Sequence, residues 1–224
     1  MTATERGKAK RNPYLTTVTG REIDLVAPKW TAVDFKDVAH HLAHNCRYAG
    51  ACRRTYTVAE HLLRGIGHCA PEVLPFWLAH DAHEAFSQDD ATPKKQALPM
   101  VMEACLRGQF PLADIEKFKL AIETAFDEFE LRHMRAVHEA AGLGWPVPED
   151  IQREVKTLDR RMLVTEWRDL MPGTPPPGYE DAAPFDENFS QPFTSFGFEA
   201  LRDAMLAAFV MTFPALREAA GARS

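Results

Sequence analysis

The sequence holds no run of apolar residues approaching the ~18 to 20 that a membrane-spanning helix needs, so no membrane partner is expected. Cysteine is scarce too. Cys46, Cys52, Cys69 and Cys105 show no paired CxxC spacing, which argues against a zinc ribbon or a dithiol redox motif. There is no excess of positive charge: 26 Lys and Arg against 32 Asp and Glu leave a net charge of -6, so no basic field points to long nucleic acid. Internal repeats and low-complexity segments are also missing. The start, Met1 to Arg11, is basic with no apolar segment after it, and the expectation is a cytoplasmic protein with a flexible N-terminus over residues 1–12.

What is present is ordinary globular material. A hydrophobic fraction of 46% and a charged fraction of 26% in 224 residues suffice for one sizeable core, which we place in residues 13–171. Tyr14 to Val26 alternates β-branched residues around Gly20 and reads as a small hairpin. From Asp34 the period becomes helical, with Phe35, Val38, Ala39 and Leu42 on one face as far as about Cys46. Thr57 and Glu60 form a capping-box pattern ahead of Val58, Leu62, Leu63 and Ile66, and a second apolar helix is expected from Val73 to Phe86.

Pro93 suits the first turn of a further helix, which Pro99 should shorten or kink. Long helices follow over Leu112 to about Ala141 and from Pro148 through Trp167. A proline-rich loop occupies residues 172–197, with four prolines between Pro172 and Gly178. The final segment, 198–224, reads as one helix packed on the core or across a homodimer interface. The fold class is therefore all-α, with a small N-terminal β-hairpin.

One run stands out, Leu78-Ala79-His80-Asp81-Ala82-His83-Glu84-Ala85-Phe86, where an apolar approach ends in adjacent histidine and carboxylate. On a continuous helix, Glu84 follows His80 by four residues and Asp81 by three, so all three reach one side. By itself the dipeptide fits a capped helix with a hydrogen-bonded histidine equally well. Joined with His61 on the preceding helix and Asp159 on a later one, it offers two imidazoles and two carboxylates. That donor set suits one borderline divalent ion such as Mn, Co, Fe or Zn, held between the helices of a bundle.

The ordered series Val38-Ala39-His40, Arg47-Tyr48-Ala49-Gly50, Tyr56-Thr57-Val58-Ala59-Glu60-His61, His80-Asp81-Ala82-His83-Glu84-Ala85, Asp89 with Thr92-Pro93 and Lys95, and Leu158-Asp159-Arg160 resembles the HD-domain metal-dependent phosphohydrolases. It is most similar to their bacterial 5′-deoxynucleotidase-like branch, over roughly two thirds of the chain. The resemblance implies an HD-domain helical bundle in which His61, His80, Asp81 and Asp159 bind the metal. It implies that Glu84 manages protons beside the ion, that Arg47 faces the substrate phosphate, and that Asp89, Thr92 and Lys95 hold sugar and phosphate. The chain departs from the family's loop at Gln88 and Asp90, where a glycine and an apolar residue are usual.

The resemblance implies a small nucleotide as substrate, a deoxynucleoside 5′-monophosphate first. Among the aromatics Tyr48, beside Arg47, is the best placed to stack on a base. The arginine pairs Arg53-Arg54 and Arg160-Arg161 motivate an alternative, a deoxynucleoside triphosphate triphosphohydrolase using the same site. A non-catalytic, metal-stabilised HD regulatory module is the alternative of another class. A two-iron oxidative enzyme is weaker still, because it needs a second ligand set. His133 and His138 are the nearest material for one, but Arg132, Arg135 and Glu139 make their surroundings look solvated. His40, His41 and His44 cluster on one helix, where capping and core hydrogen bonds account for them as well as ligation does.

Overall fold

A computed structural model describes residues 12–89 and 92–221; the expected loose N-terminus, except for Asn12, and Asp90 lie outside them. The hairpin forms from β1 (Tyr14–Thr16) and β2 (Glu22–Asp24), antiparallel with Leu15 opposite Ile23. Its turn is docked by Asp37, a fully buried carboxylate in the first turn of α1 (Phe35–His44). Asp37 accepts hydrogen bonds from Thr17 Oγ1 at 2.8 Å, Thr19 Oγ1 at 2.8 Å and the Thr19 amide at 3.0 Å. Asp34 caps that helix by accepting from the Lys36 amide.

Helices α2 (Val58–Gly65) and α3 (Leu74–His80) pack on each other and on α7 (Glu149–Leu170), while α1 and α2 lean on α8 (Gly197–Thr212). Leu42, Leu62, Trp77, Leu78, Met162 and Met205 close the shared core with no measurable exposure. Phe35 packs at a steep angle on the stacked pair Phe209 and Phe213, all with ring centroids 4.9–5.1 Å apart, and the three seal the α1–α8 contact. Helix α6 (Leu112–Ala141) covers α3, ends at Gly142 with φ 76°, and carries α5 (Thr92–Leu106) as an outlying partner.

Three expectations need correction. The helix expected over Val73 to Phe86 is two: α3 stops at His80, and α4 (Glu84–Ser87) resumes after a turn at Asp81 with φ -104° and ψ 3°. The imidazoles cause the break by competing for backbone acceptors. His80 Nδ1 takes the Trp77 carbonyl at 2.5 Å and His83 Nδ1 takes the His80 carbonyl at 3.0 Å, the acceptors that a continuing helix would use. The last helix is likewise two, α8 and α9 (Pro214–Gly221). Pro214 has no amide to donate and drives Phe213 into extended geometry at φ -77°, ψ 127°.

The capping box at Thr57 is half made. Thr57 Oγ1 accepts from the Glu60 amide at 3.3 Å, but the Glu60 carboxylate turns away to Arg54 at 2.7 and 2.8 Å and Arg64 at 2.9 Å. Those arginines belong to a clasp over the proline-rich loop, which has no regular structure. Arg54, Arg64, Arg160, Arg161 and Arg168 all donate to backbone carbonyls between Gly178 and Gln191, at 2.5–3.1 Å. Phe185 and Phe189 are buried beneath it.

Candidate metal centre

Three helices deliver the centre. His61 comes from α2, His80 from the last residue of α3 and Asp159 from the middle of α7, and one donor atom of each lies within 4.8 Å of the others. His61 Nε2 stands 3.4 Å from Asp159 Oδ1. Asp81 joins from the turn after α3, its Oδ2 3.7 Å from His61 Nε2 and 3.3 Å from His80 Nε2. The expected four residues therefore meet, and the break after His80 is what lets neighbouring residues face one point.

Each imidazole is held by its far nitrogen. His80 Nδ1 donates to the Trp77 carbonyl, and His61 Nδ1 donates to Glu166 Oε1 at 2.5 Å. An acceptor at Nδ1 keeps the proton there and leaves the lone pair on Nε2, the tautomer that binds metal. His61 Nε2, His80 Nε2 and Asp159 Oδ1 are shielded from solvent and have no hydrogen-bond partner. Converging orphaned donors of this kind are costly unless a cation lies among them, and two imidazoles with carboxylates fit a borderline divalent ion.

Glu166 is the part that sequence reasoning missed. This fully buried carboxylate accepts from His61, from Tyr48 Oη at 2.5 Å and from Tyr56 Oη at 2.9 Å, and lies 3.3 Å from Arg47 Nε. Burial alone would raise its pKa, but Arg47 and His61 outweigh that and bring it down to about 2. A signal existed: Glu166 follows Asp159 by seven residues, two helical turns, and so shares its face. Trp77 adds shape from below, its ring stacked on His80 at 4.4 Å and its Nε1 donating to the Leu62 carbonyl at 2.8 Å.

Arg47 is buried and donates to Asp81 Oδ2 at 3.1 Å, so it bridges Asp81 and Glu166. The Asp81 carboxyl sits well below the usual carboxylate range; burial opposes this, but His80 and Arg47 overcome it. Tyr48 and Ala49 adopt left-handed conformations at φ 55° and 51°, strained for residues with a Cβ. The Tyr48 amide is fastened by Asp89 Oδ2 at 3.2 Å, and its ring lies edge-on to Trp167, with the hydroxyl committed to Glu166.

Glu84 is partly buried with Oε2 shielded and unpartnered. Burial, together with the charges of Asp81 and Asp89, pushes its pKa well up. Burial raises the Asp89 carboxyl as well, partly offset by Arg47. Gln88, just before, has φ 66° and ψ 163°, a conformation suited to glycine, the residue usual at this point in the resembling family. Thr92 opens α5 on the surface, and Lys95 ion-pairs with Glu130 of α6.

The remaining candidates fall elsewhere. Arg54, Arg160 and Arg161 are engaged in the loop clasp, Arg160 also pairing with Asp181. His40 and His44 stack on each other, and His41 Nδ1 bonds the Ala85 carbonyl at 2.8 Å. His133 and His138 are buried, not solvated as their charged neighbours implied, because that face of α6 turns inward. Neither belongs to the ligand cluster found among the described residues.

No family model matches the chain. It is 30% identical over 135 residues to the uncharacterized protein YfdR of Escherichia coli, covering 60% of this chain and 59% of that protein. It is 28% identical over 151 residues to the uncharacterized protein RCAP_rcc00048 of Rhodobacter capsulatus, covering 63% of this chain and 65% of that one. The chain thus spans about three fifths of the length of the curated relatives it matches.

Proposed function

We propose that the protein is an HD-type metal-dependent phosphohydrolase that removes phosphate from small nucleotides, deoxynucleoside 5′-monophosphates first. The observation that carries this reading is the convergence of His61 Nε2, His80 Nε2 and Asp159 Oδ1, unpartnered and shielded, with Asp81 beside them. When bound, a divalent ion there polarises a phosphoryl oxygen and acidifies water. His61, His80, Asp81 and Asp159 would hold it. Glu166 orients His61, and the Trp77 carbonyl orients His80.

Glu84 handles the proton. Burial and the Asp81 and Asp89 charges favour its protonated form, which suits Oε2 to exchange a proton with the reacting oxygen atoms. Arg47 adds positive potential without leaving its carboxylate partners. The monophosphate reading is preferred over the triphosphate one because Arg54, Arg160 and Arg161, three of the four arginines that favoured a longer phosphate chain, grip the proline-rich loop instead.

Purified protein supplied with Mn or Co is expected to release phosphate from deoxynucleoside 5′-monophosphates. Chelation, His80→Ala and Asp159→Ala should each abolish release. Undiminished turnover in both variants would refute the assignment.

A further inference from the structure

A cavity of about 460 Å³ opens beside the metal ligands, with His80 and Asp159 in its lining. That volume falls within the about 300–1,000 Å³ range of small-molecule sites. Its walls are mainly apolar, formed by Phe76 at one side, Leu131 and Met134 of α6, and Trp145 and Val147 of the α6–α7 connection. It draws on none of the residues around Tyr48 and Asp89, where the resemblance locates the sugar and phosphate contacts.

Besides His80 and Asp159, three polar side chains break the apolar lining: His138, Lys156 and Gln152, whose amide donates to the Val147 carbonyl at 2.7 Å. His138 is 1% exposed, and its Nδ1 is shielded without a hydrogen-bond partner. Burial, helped by His83 and His80, lowers its pKa to about 4, so the ring is a neutral polar group at physiological pH. A hydrocarbon occupant offers the His138 imidazole no hydrogen-bond partner, whereas a ring carrying nitrogen and oxygen functions does. Trp145 and Phe76 flank His138, with ring centroids 5.2 and 6.2 Å away, and offer flat surfaces. Lys156 stands one helical turn before Asp159 and is exposed; among the described residues its ammonium has no ionic partner.

We propose that this cavity is the specificity pocket of the metal centre, taking the flat nitrogen heterocycle of a nucleotide while Lys156 meets the ester's phosphate at the mouth. The proposal rests on the phosphohydrolase reading for the phosphate, but its pocket chemistry stands on the lining alone. It moves base recognition from Tyr48, whose hydroxyl is committed to Glu166, to Trp145, Phe76 and His138.

The test is calorimetric binding to Mn-loaded protein in the Glu84→Gln background, so that esters survive the titration. The probes are deoxyadenosine 5′-monophosphate, deoxyribose 5-phosphate, octyl phosphate and inorganic phosphate. Deoxyadenosine 5′-monophosphate is expected to bind about tenfold tighter than deoxyribose 5-phosphate, the scale of one base stack. Trp145→Ala should erase that gap. Leu131→Trp, a change at a half-exposed wall position, should weaken the nucleotide and leave inorganic phosphate unchanged. Lys156→Ala should weaken all three phosphate esters by a similar factor.

Equal binding of nucleotide and sugar phosphate, or a gap indifferent to both Trp145→Ala and Leu131→Trp, overturns the pocket. So does octyl phosphate binding as tightly as the nucleotide. These results leave the phosphohydrolase reading intact, because that fails separately, by absence of phosphate release in protein with native Glu84.

Discussion

His61 Nδ1 lies 2.5 Å from Glu166 Oε1, and this contact sets which nitrogen of His61 faces the metal centre. The carboxylate is two helical turns beyond Asp159 on α7, so one helix supplies a candidate ligand and the orienting partner of another.

Glu166→Gln is therefore expected to lower Mn or Zn affinity about 10- to 100-fold while the four ligands remain. Titration calorimetry measures the loss directly. Unchanged affinity would mean that His61 needs no carboxylate behind it.

The same residue makes the fold acid-sensitive. A carboxyl near its ordinary value of 4.5 when unfolded and held at about 2 when folded stabilises the protein fully above about pH 4.5. That contribution, on the order of 3 kcal/mol, is lost as pH falls from about 4.5 towards about 2. Urea unfolding of metal-free protein between pH 6 and pH 3 should show the decline, and Glu166→Gln should flatten it.

Glu84 behaves in the opposite sense. Its folded pKa is raised, so ionising it above the unfolded value costs stability as pH rises. In chelated protein at neutral pH, Glu84→Gln is expected to gain about 1 kcal/mol, or about 2–4 °C in Tm. The same variant should lose phosphate release by about 100-fold or more. Scanning calorimetry paired with a phosphate assay separates the two effects.

Gly65 guards the floor of the centre. A Cβ there would meet the Trp77 ring at 2.2–2.5 Å, and Trp77 is the ring stacked on His80. Gly65→Ala should destabilise by about 1–3 kcal/mol through overpacking and weaken metal uptake together with it. Thermal melts with and without Mn would show both losses; a silent substitution would place the ring contact outside the energetics of the site.

The candidate ligands were legible because each sits in a strong local pattern: His61 behind a capped turn, His80-Asp81 at the end of an apolar run, Asp159 on a long periodic helix. Glu166 was not. One more glutamate on an amphipathic helix acquires meaning only when α7 packs on α2 and brings His61 to it. The turn at Asp81 was hidden for a similar reason, since Leu78, Ala79 and Ala82 favour a helix and the imidazole–carbonyl bonds that stop it arise from side-chain geometry. The break before Pro214 was readable from the proline alone. Nothing local marked the left-handed turn at Tyr48 and Ala49, because neither is a glycine and the hydrogen bond from the Tyr48 amide to Asp89 spans 41 residues.

The arginine clasp over the proline-rich segment divides the molecule by its response to acid. Guanidinium groups and peptide carbonyls keep their charge state across the whole physiological range, so these contacts bind equally well in mild acid and mild base. Protonation can therefore change the charge of the buried carboxylates and imidazoles while the strap stays closed.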